Sequence, residues 1–241
     1  MKRRIGESMS EIQVDVFQGY GLDCNIYLVE KQVIIDAGTG HNRNVFMDWL
    51  AEQTNIDDVH TLILTHRHYD HSGGAPEILD LTGVEAFIHE YDGPAVMNGD
   101  VVTTGARAFQ GDQIPIKVTQ IKGDHEFDIN GHVFKVIYTP GHTIGSISLF
   151  NEDSGILFSG DTIFANGGIG RWDLATGNHS DLKKSIESLT KLEIKDLYPG
   201  HDVVVKGKGK QHALLSLESI SEPPYDLIMR RLNLLKNDQP R

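Results

Sequence analysis

The run Thr65-His-Arg-His-Tyr-Asp-His71 sets three histidines and an aspartate within six residues, directly after the apolar segment Thr61-Leu-Ile-Leu-Thr65. A short apolar run of this kind reads as a buried strand, so the ionisable side chains gather at its carboxyl end. Side chains two apart on an extended chain share a face. His66 and His68 therefore point together while the strand persists, and Asp70 and His71 fall in the following turn and can point elsewhere. One loop thus offers two coordination sets. Ionisable groups crowded at a strand end cost desolvation unless solvent or a cation satisfies them, and metal binding is favoured here over a solvated polar loop.

The single cysteine, Cys24, among 241 residues excludes an intrachain disulfide framework and every Cys-rich zinc motif. A transition metal would be held by histidine and carboxylate, and the chain has 12 histidines. Three further candidates stand in similar settings: His142 in Thr139-Pro-Gly-His-Thr-Ile-Gly-Ser146, Asp161 in Phe158-Ser-Gly-Asp-Thr162, and His201 in Tyr198-Pro-Gly-His-Asp202. Each follows a predicted strand and a glycine, whose missing side chain lets the chain turn and a ligand approach closely. Cys24 reads as a core residue. His41, His60, His89, His125, His132, His179 and His212 lack a paired ligand pattern and read as surface or hydrogen-bonded residues.

Around these motifs, strands are predicted over 13–17, 25–29 and 33–36, the last two joined by a Glu-Lys-Gln turn. A helix over 44–53 places Val45, Trp49 and Leu50 near one face, and the strand over 61–65 follows. A short helix over 76–81 has Pro76 in its first turn, and a strand follows over 84–89. A loop-rich, glycine-spaced stretch then runs to Gly123. Asn130-Gly131 predicts a hairpin between 127–129 and 132–139, with further strands over 146–150, 156–159 and 196–199. The clearest amphipathic helix spans 181–192, with Leu182, Ile186, Leu189 and Leu192 at helical spacing behind Ser180 as N-cap.

The length suits one large α/β domain and no linker cuts the chain, so a single domain over 1–241 is expected. Residues 1–11 read as a flexible lead, and 211–241 as a C-terminal helical tail interrupted by Pro223-Pro224. Lys2, Arg3 and Arg4 are followed by Glu7 rather than an apolar segment, and no run approaches 18 apolar residues. A soluble, cytoplasmic protein with no membrane association is expected. With 22 basic against 34 acidic residues the net charge is -12, which disfavours nucleic acid held on a broad basic surface.

Together with Val33-Ile-Ile-Asp36-Ala-Gly38, the motifs His66-Arg-His68-Tyr-Asp70-His71, His142, Asp161 and His201 resemble the metallo-β-lactamase superfamily. They resemble most its glyoxalase II (hydroxyacylglutathione hydrolase)-like branch. The resemblance spans roughly Asn25 to Asp202. It implies an α/β fold, a four-layer αβ/βα sandwich with the site along one edge between two sheets. It also implies that His66, His68 and His142 bind one metal ion and Asp70, His71 and His201 a second, with Asp161 and a water or hydroxide bridging them. Asp36 would brace the metal loop by hydrogen bonds. The implied cofactors are two divalent ions, zinc first, with iron and manganese open to the same donors.

Two such ions lower the pKa of a shared water, polarise a carbonyl oxygen and receive the leaving group's developing charge. Hydrolysis of an activated acyl bond in a small molecule is the implied activity, with Asp70 as the catalytic residue that carries a proton toward the leaving group. True β-lactamases of the superfamily generally lack the bridging aspartate, so Asp161 turns the resemblance toward thioesterases, lactonases and oxygenases. The stretch Phe164-Ala-Asn-Gly-Gly-Ile-Gly-Arg171-Trp-Asp173-Leu resembles the Gly-x-Gly-Arg-x-Asp segment of compact glyoxalase II-like proteins. Arg171 either locks this loop with Asp173 or reaches an anionic substrate.

Only about 40 residues lie beyond His201, fewer than the helical domain with which full-length glyoxalase II holds glutathione. They begin with Val203-Val-Val-Lys206-Gly-Lys208-Gly-Lys210, readable as a solvated turn or as a flexible clamp for an anionic substrate. Tyr69 is left between packing and lining the pocket. Three activities stay open: dinuclear hydrolysis of thioesters, with lactones or other esters related; a mononuclear iron persulfide dioxygenase using counterparts of His66, His142 and Asp161; and a nuclease, phosphodiesterase or β-lactamase-like activity.

Overall fold

The apolar segments pair into two sheets in the computed structural model, which describes residues 11–221. Most of the expected lead, and the expected tail beyond residue 221, lie outside the described residues. The first sheet runs β1 (Val14–Phe17), β2 (Ile26–Val29), β3 (Val33–Ile35), β4 (Thr61–Ile63), β5 (Glu85–His89) and β6 (Thr119–Ile121) in spatial as in chain order. β1 to β3 form an antiparallel meander, whereas β3 to β6 are parallel. Parallel neighbours require a crossover, usually helical. It is supplied by α1 (Arg43–Gln53) before β4, by α2 (Tyr69–Ser72, a single turn) and α3 (Ala75–Thr82) before β5, and by α4 (Gly93–Asn98) before β6.

The second sheet contains β7 (Glu126–Ile129), β8 (His132–Tyr138), β9 (Ile147–Asn151), β10 (Ile156–Gly160) and β11 (Asp196–Pro199), in the order β11-β10-β9-β8-β7. It is antiparallel except for β10 and β11, which α5 (His179–Leu189) connects; α6 (Gly209–Ser221) comes after β11. The β7–β8 hairpin turns at Asn130 (φ 53°) and Gly131 (φ 85°), the two left-handed positions that an Asn-Gly turn supplies.

Three clusters of buried side chains define the layers. Tyr27, Ile35 and Ile63 from the first sheet pack with Phe134, Leu149, Phe158 and Tyr198 from the second, so the sheets face each other. On the outer face of the first sheet Leu28, Leu62 and Leu64 meet Phe46 and Leu50 of α1 and Ile78 of α3. On the outer face of the second, Leu157 and Leu197 meet Leu182, Ile186 and Leu189 of α5 and Ala213 and Ile220 of α6. Helices, sheet, sheet, helices: this is the four-layer αβ/βα sandwich. Leu62, Ile63 and Leu64 are fully buried, each contributing about 1.5–3 kcal/mol of transfer free energy. A one-residue slip of β4 would exchange its two faces, so the loop after it has a fixed starting point.

Several expectations are corrected. On α1 the face turns by one residue: Val45 is 62% exposed and Phe46 takes the buried position. The stretch before Gly123 holds α4 and β6, both too short to give a periodic signal. α5 begins earlier than predicted because Asn178, not Ser180, is its N-cap, accepting a hydrogen bond from the Asp181 amide, and it ends at Leu189, before Leu192. The N-terminal part of the expected tail is helical as α6.

Candidate metal centre

Every expected ligand follows the carboxyl end of a strand. His66 to His71 follow β4, His142 follows β8, Asp161 follows β10 and His201 follows β11. That edge is where open α/β sheets place their sites. Ring nitrogens of His66, His68 and His142 lie within 4.8 Å of one another, and so do the donor atoms of Asp70, His71 and His201. The closest approach in the first group is 2.8 Å, between His68 Nδ1 and His142 Nε2. In the second, His201 Nε2 is 3.1 Å and His71 Nε2 3.8 Å from Asp70 Oδ2.

Asp161 spans the two groups. Its Oδ1 is 3.2 Å from His71 Nε2, and its Oδ2 is 3.4 Å from His142 Nε2 and 3.6 Å from His201 Nε2. The backbone is shaped to allow this. Gly160, at φ 48°, adopts a conformation that favours glycine, and a Cβ at Gly200 would lie 2.2 Å from Asp161 Oδ1.

The outward nitrogens are held by the protein. His66 Nδ1 meets Thr65 Oγ1 at 3.0 Å, His71 Nδ1 meets Asp36 Oδ2 at 2.8 Å, and His142 Nδ1 meets the Arg171 carbonyl at 2.6 Å. An acceptor facing Nδ1 places the ring proton there and leaves Nε2 as a lone-pair donor toward the centre, the arrangement that orients metal-binding imidazoles. Asp36 also accepts from the Thr65 amide at 2.8 Å and from its hydroxyl. It thereby ties the start of the loop to His71. Three buried atoms aimed inward lack a satisfied hydrogen bond: His66 Nε2, and His71 Nε2 and Asp161 Oδ1, which approach each other to 3.2 Å without the geometry of one. Unpaired buried polar atoms are costly, and a donor set of imidazole and carboxylate is one that divalent metal ions satisfy.

Electrostatics agrees with that chemistry. Burial and the neighbouring histidines push His66 well below the ordinary imidazole range, and burial with His142 holds His68 down to about 3. Burial opposes charge at Asp161 and Asp70 too, but the adjacent His71 and His201 outweigh it and hold both carboxyls low. His71 is raised in spite of its burial by the carboxylates of Asp161, Asp36 and Asp70. His66 and His68 are therefore neutral donors, whereas the proton that the carboxylates hold on His71 has to leave before its Nε2 can bind a metal ion. Cys24 is fully buried and its thiol is pushed up to about 12, chiefly by that burial.

Asp92 is one of several supporting residues, with Thr65, Asn25 and Tyr27, that sequence reasoning missed. It is fully buried and accepts four hydrogen bonds: from Arg67 Nε (2.8 Å) and Gly145 N (2.9 Å) on Oδ1, and from Arg67 N (2.9 Å) and Thr143 Oγ1 (2.6 Å) on Oδ2. It joins the His66–His71 loop to the His142 loop. The His201 turn is held across the sandwich: Asn25 Nδ2 donates to the carbonyls of Pro199 (3.0 Å) and Asp202 (2.9 Å), and Tyr27 Oη to that of Pro199 at 2.5 Å.

The remaining candidates separate. Arg171 forms a bidentate pair with Asp173, at 3.0 and 2.8 Å, so the loop lock is the arrangement found. Of the two readings of the lysines, the anion clamp is not assembled in this structure. Lys206 Nζ donates to Tyr198 Oη, lies 4.3 Å from that ring's centre and pairs with Asp196 at 3.2 Å. Lys210 Nζ donates to the Leu192 carbonyl at 2.6 Å and pairs with Glu193 at 3.0 Å. Neither these two nor Lys208 lines the cleft above the centre, which has a volume of about 510 Å³ and a floor that includes His68, Asp70, His142, Asp161 and His201. Tyr69 packs inward against Phe109, ring centres 5.9 Å apart, and does not line this cleft.

Comparison with known proteins gives one consistent result. Residues 19–201 match the description "Metallo-beta-lactamase superfamily". A probable metallo-hydrolase of Methanocaldococcus jannaschii is 38% identical over 76% of this chain and 89% of its own length. A second, the probable metallo-hydrolase YqgX of Bacillus subtilis, is 32% identical over 81% of this chain and 89% of its own. Among solved structures, TTHA1623 in a di-iron-bound form superposes with a TM-score of 0.68 at 24% identity, covering 87% of this chain and 99% of that one.

Proposed function

The chain belongs to the metallo-beta-lactamase superfamily, and from that premise we propose that it is a dinuclear metal-dependent hydrolase of activated acyl bonds, cleaving thioesters as glyoxalase II-like proteins do. Lactones and other esters are related substrates of the same chemistry. The observation that carries this reading is Asp161, whose two oxygens face histidines of both donor groups. His66, His68 and His142 would hold one divalent ion and Asp70, His71 and His201 the other, zinc being the first choice. Ions bound there would supply an acidified water and a Lewis acid for the carbonyl oxygen.

The protein's own groups do the rest. Thr65, Asp36 and the Arg171 carbonyl fix the imidazoles of His66, His71 and His142 so that the donors need no reorientation. Asp70, held by His201 on the cleft floor, would pass a proton to the departing atom. No serine or cysteine nucleophile is needed, and Cys24, buried behind His71, has no access to substrate.

Metal analysis of protein purified without added metal, together with thioester hydrolysis, tests the proposal. Two metal equivalents per chain and metal-dependent hydrolysis are expected. One iron per chain, oxygen uptake with a persulfide and no hydrolysis would overturn it in favour of the dioxygenase reading.

A further inference from the structure

The walls of the cleft differ in character from its floor. Above the histidines and carboxylates stand Val102, Ala108 and Phe109 from the segment between α4 and β6, facing Phe164, Ile169 and Leu174 from the segment after β10. Val102 is 67% and Leu174 37% exposed, so apolar surface is left uncovered at the mouth. Polar wall groups are already engaged. Thr103 Oγ1 accepts from Arg67 and donates to Asp100, Thr104 Oγ1 donates to the Asp100 carbonyl, and the Arg171 guanidinium is committed to Asp173. Among the described residues, Arg171 is the only Lys or Arg that lines this cleft, and Asp202 adds a carboxylate to its lining.

We propose that this cleft selects uncharged acyl substrates with an apolar tail and discriminates against anionic carriers such as glutathione. The inference rests on the hydrolase reading and deepens it by naming the substrate class. A volume of about 510 Å³ holds a medium-length acyl chain, and its burial against Phe109, Phe164 and Leu174 supplies the binding free energy. Ions on the floor would be engaged by the acyl carbonyl and the attacking water, whereas a peptide carboxylate at the mouth would meet Asp202, and among the described residues the only lining guanidinium, Arg171, is paired with Asp173. An anionic substrate is the alternative that a lysine clamp would have served, and Lys206 and Lys210 are paired elsewhere.

The test uses the zinc-loaded protein and two octanoyl thioesters, one of N-acetylcysteamine and one of glutathione. The neutral compound should be cleaved with a kcat/KM at least about tenfold higher. Calorimetry with the uncleavable thioethers S-octyl-N-acetylcysteamine and S-octylglutathione reads the same preference without chemistry, and the neutral thioether should bind more tightly. Equal or tighter binding of S-octylglutathione, or faster cleavage of its thioester, would overturn the inference. If neither thioester is cleaved while the neutral thioether still binds more tightly, the hydrolase reading fails and the cleft assignment stands. The double variant Phe109→Ser, Leu174→Ser should weaken binding of the octyl tail about tenfold; unchanged binding by a folded variant would also overturn the inference.

Discussion

Arg67 and Asp92 form an ion pair with Nε and Oδ1 2.8 Å apart, both side chains almost wholly removed from solvent. The pair costs desolvation to form, but removing one partner strands a buried charge, a loss of about 3–5 kcal/mol. Asp92 also holds Thr143 and Gly145, beside His142. Asp92→Ala should therefore lower stability by about that amount in urea unfolding and weaken metal binding about 10- to 100-fold in chelator competition. Loss of stability with metal affinity unchanged would confine Asp92 to a packing role.

Asp161→Asn preserves shape and removes the charge that faces both donor groups. Metal content should fall below two equivalents, the thermal shift on adding metal should shrink, and hydrolysis should drop by more than about a hundredfold. Full metal content and wild-type turnover would contradict a bridging role.

The metal-free protein should lose stability as pH falls from about 6.5. His68 is held down to about 3 by burial and by His142, and His66 is also lowered. An unfolded histidine titrates near 6.5. Between these values the unfolded chain takes up protons that the folded protein refuses, so stability declines through the window. His71 works in the opposite sense: its raised folded value gives stability that is fully present below 6.5 and is lost at higher pH. The melting temperature of the apo protein should fall between pH 7 and pH 5, and His68→Gln should flatten that dependence. An unchanged slope in the variant would remove His68 from the account.

Changing Lys206, Lys208 and Lys210 together to Ala should leave KM for an anionic thioester within about twofold of wild type, because none of the three lines the cleft. Stability should decline modestly, since Lys206 loses Asp196 and the Tyr198 ring. A several-fold rise in KM would restore the anion clamp.

How much of the site and fold could be read from the chain depends on how local each signal is. The segment from His66 to His71 announces itself because its ligands are nearly consecutive and come directly after an apolar strand. His142, Asp161 and His201 were legible through their preceding glycines, and Gly200 shows why: a side chain there would collide with Asp161. Asp92 carried no such mark. It stands before Gly93-Pro94, where an aspartate reads as a helix cap, yet it makes no side-chain cap bond and spends its carboxylate on residues 25 to 53 positions away. The lysines stayed open between a solvated turn and a clamp for a related reason. Their glycine spacing suggested mobility, but Asp196 and Tyr198, which capture Lys206, belong to β11, whose pairing with this segment a linear reading does not reveal. β6 was missed because a three-residue strand with two exposed positions takes its register from β5 rather than from its own pattern.

The two donor groups also differ in when they can exist. Asp70 and His201 meet across 131 residues and from opposite sheets, and the His201 turn is closed only when Asn25 and Tyr27 reach it from 172 to 177 positions earlier in the chain. Contacts of such span form late, after loop entropy has been overcome elsewhere. The group around His66, His68 and His142 needs less of the chain, ending at residue 142. Both groups draw on the two sheets, since His142 follows β8, but a chain truncated before β11 would keep all three histidines of the first group and lack His201, one arm of the second.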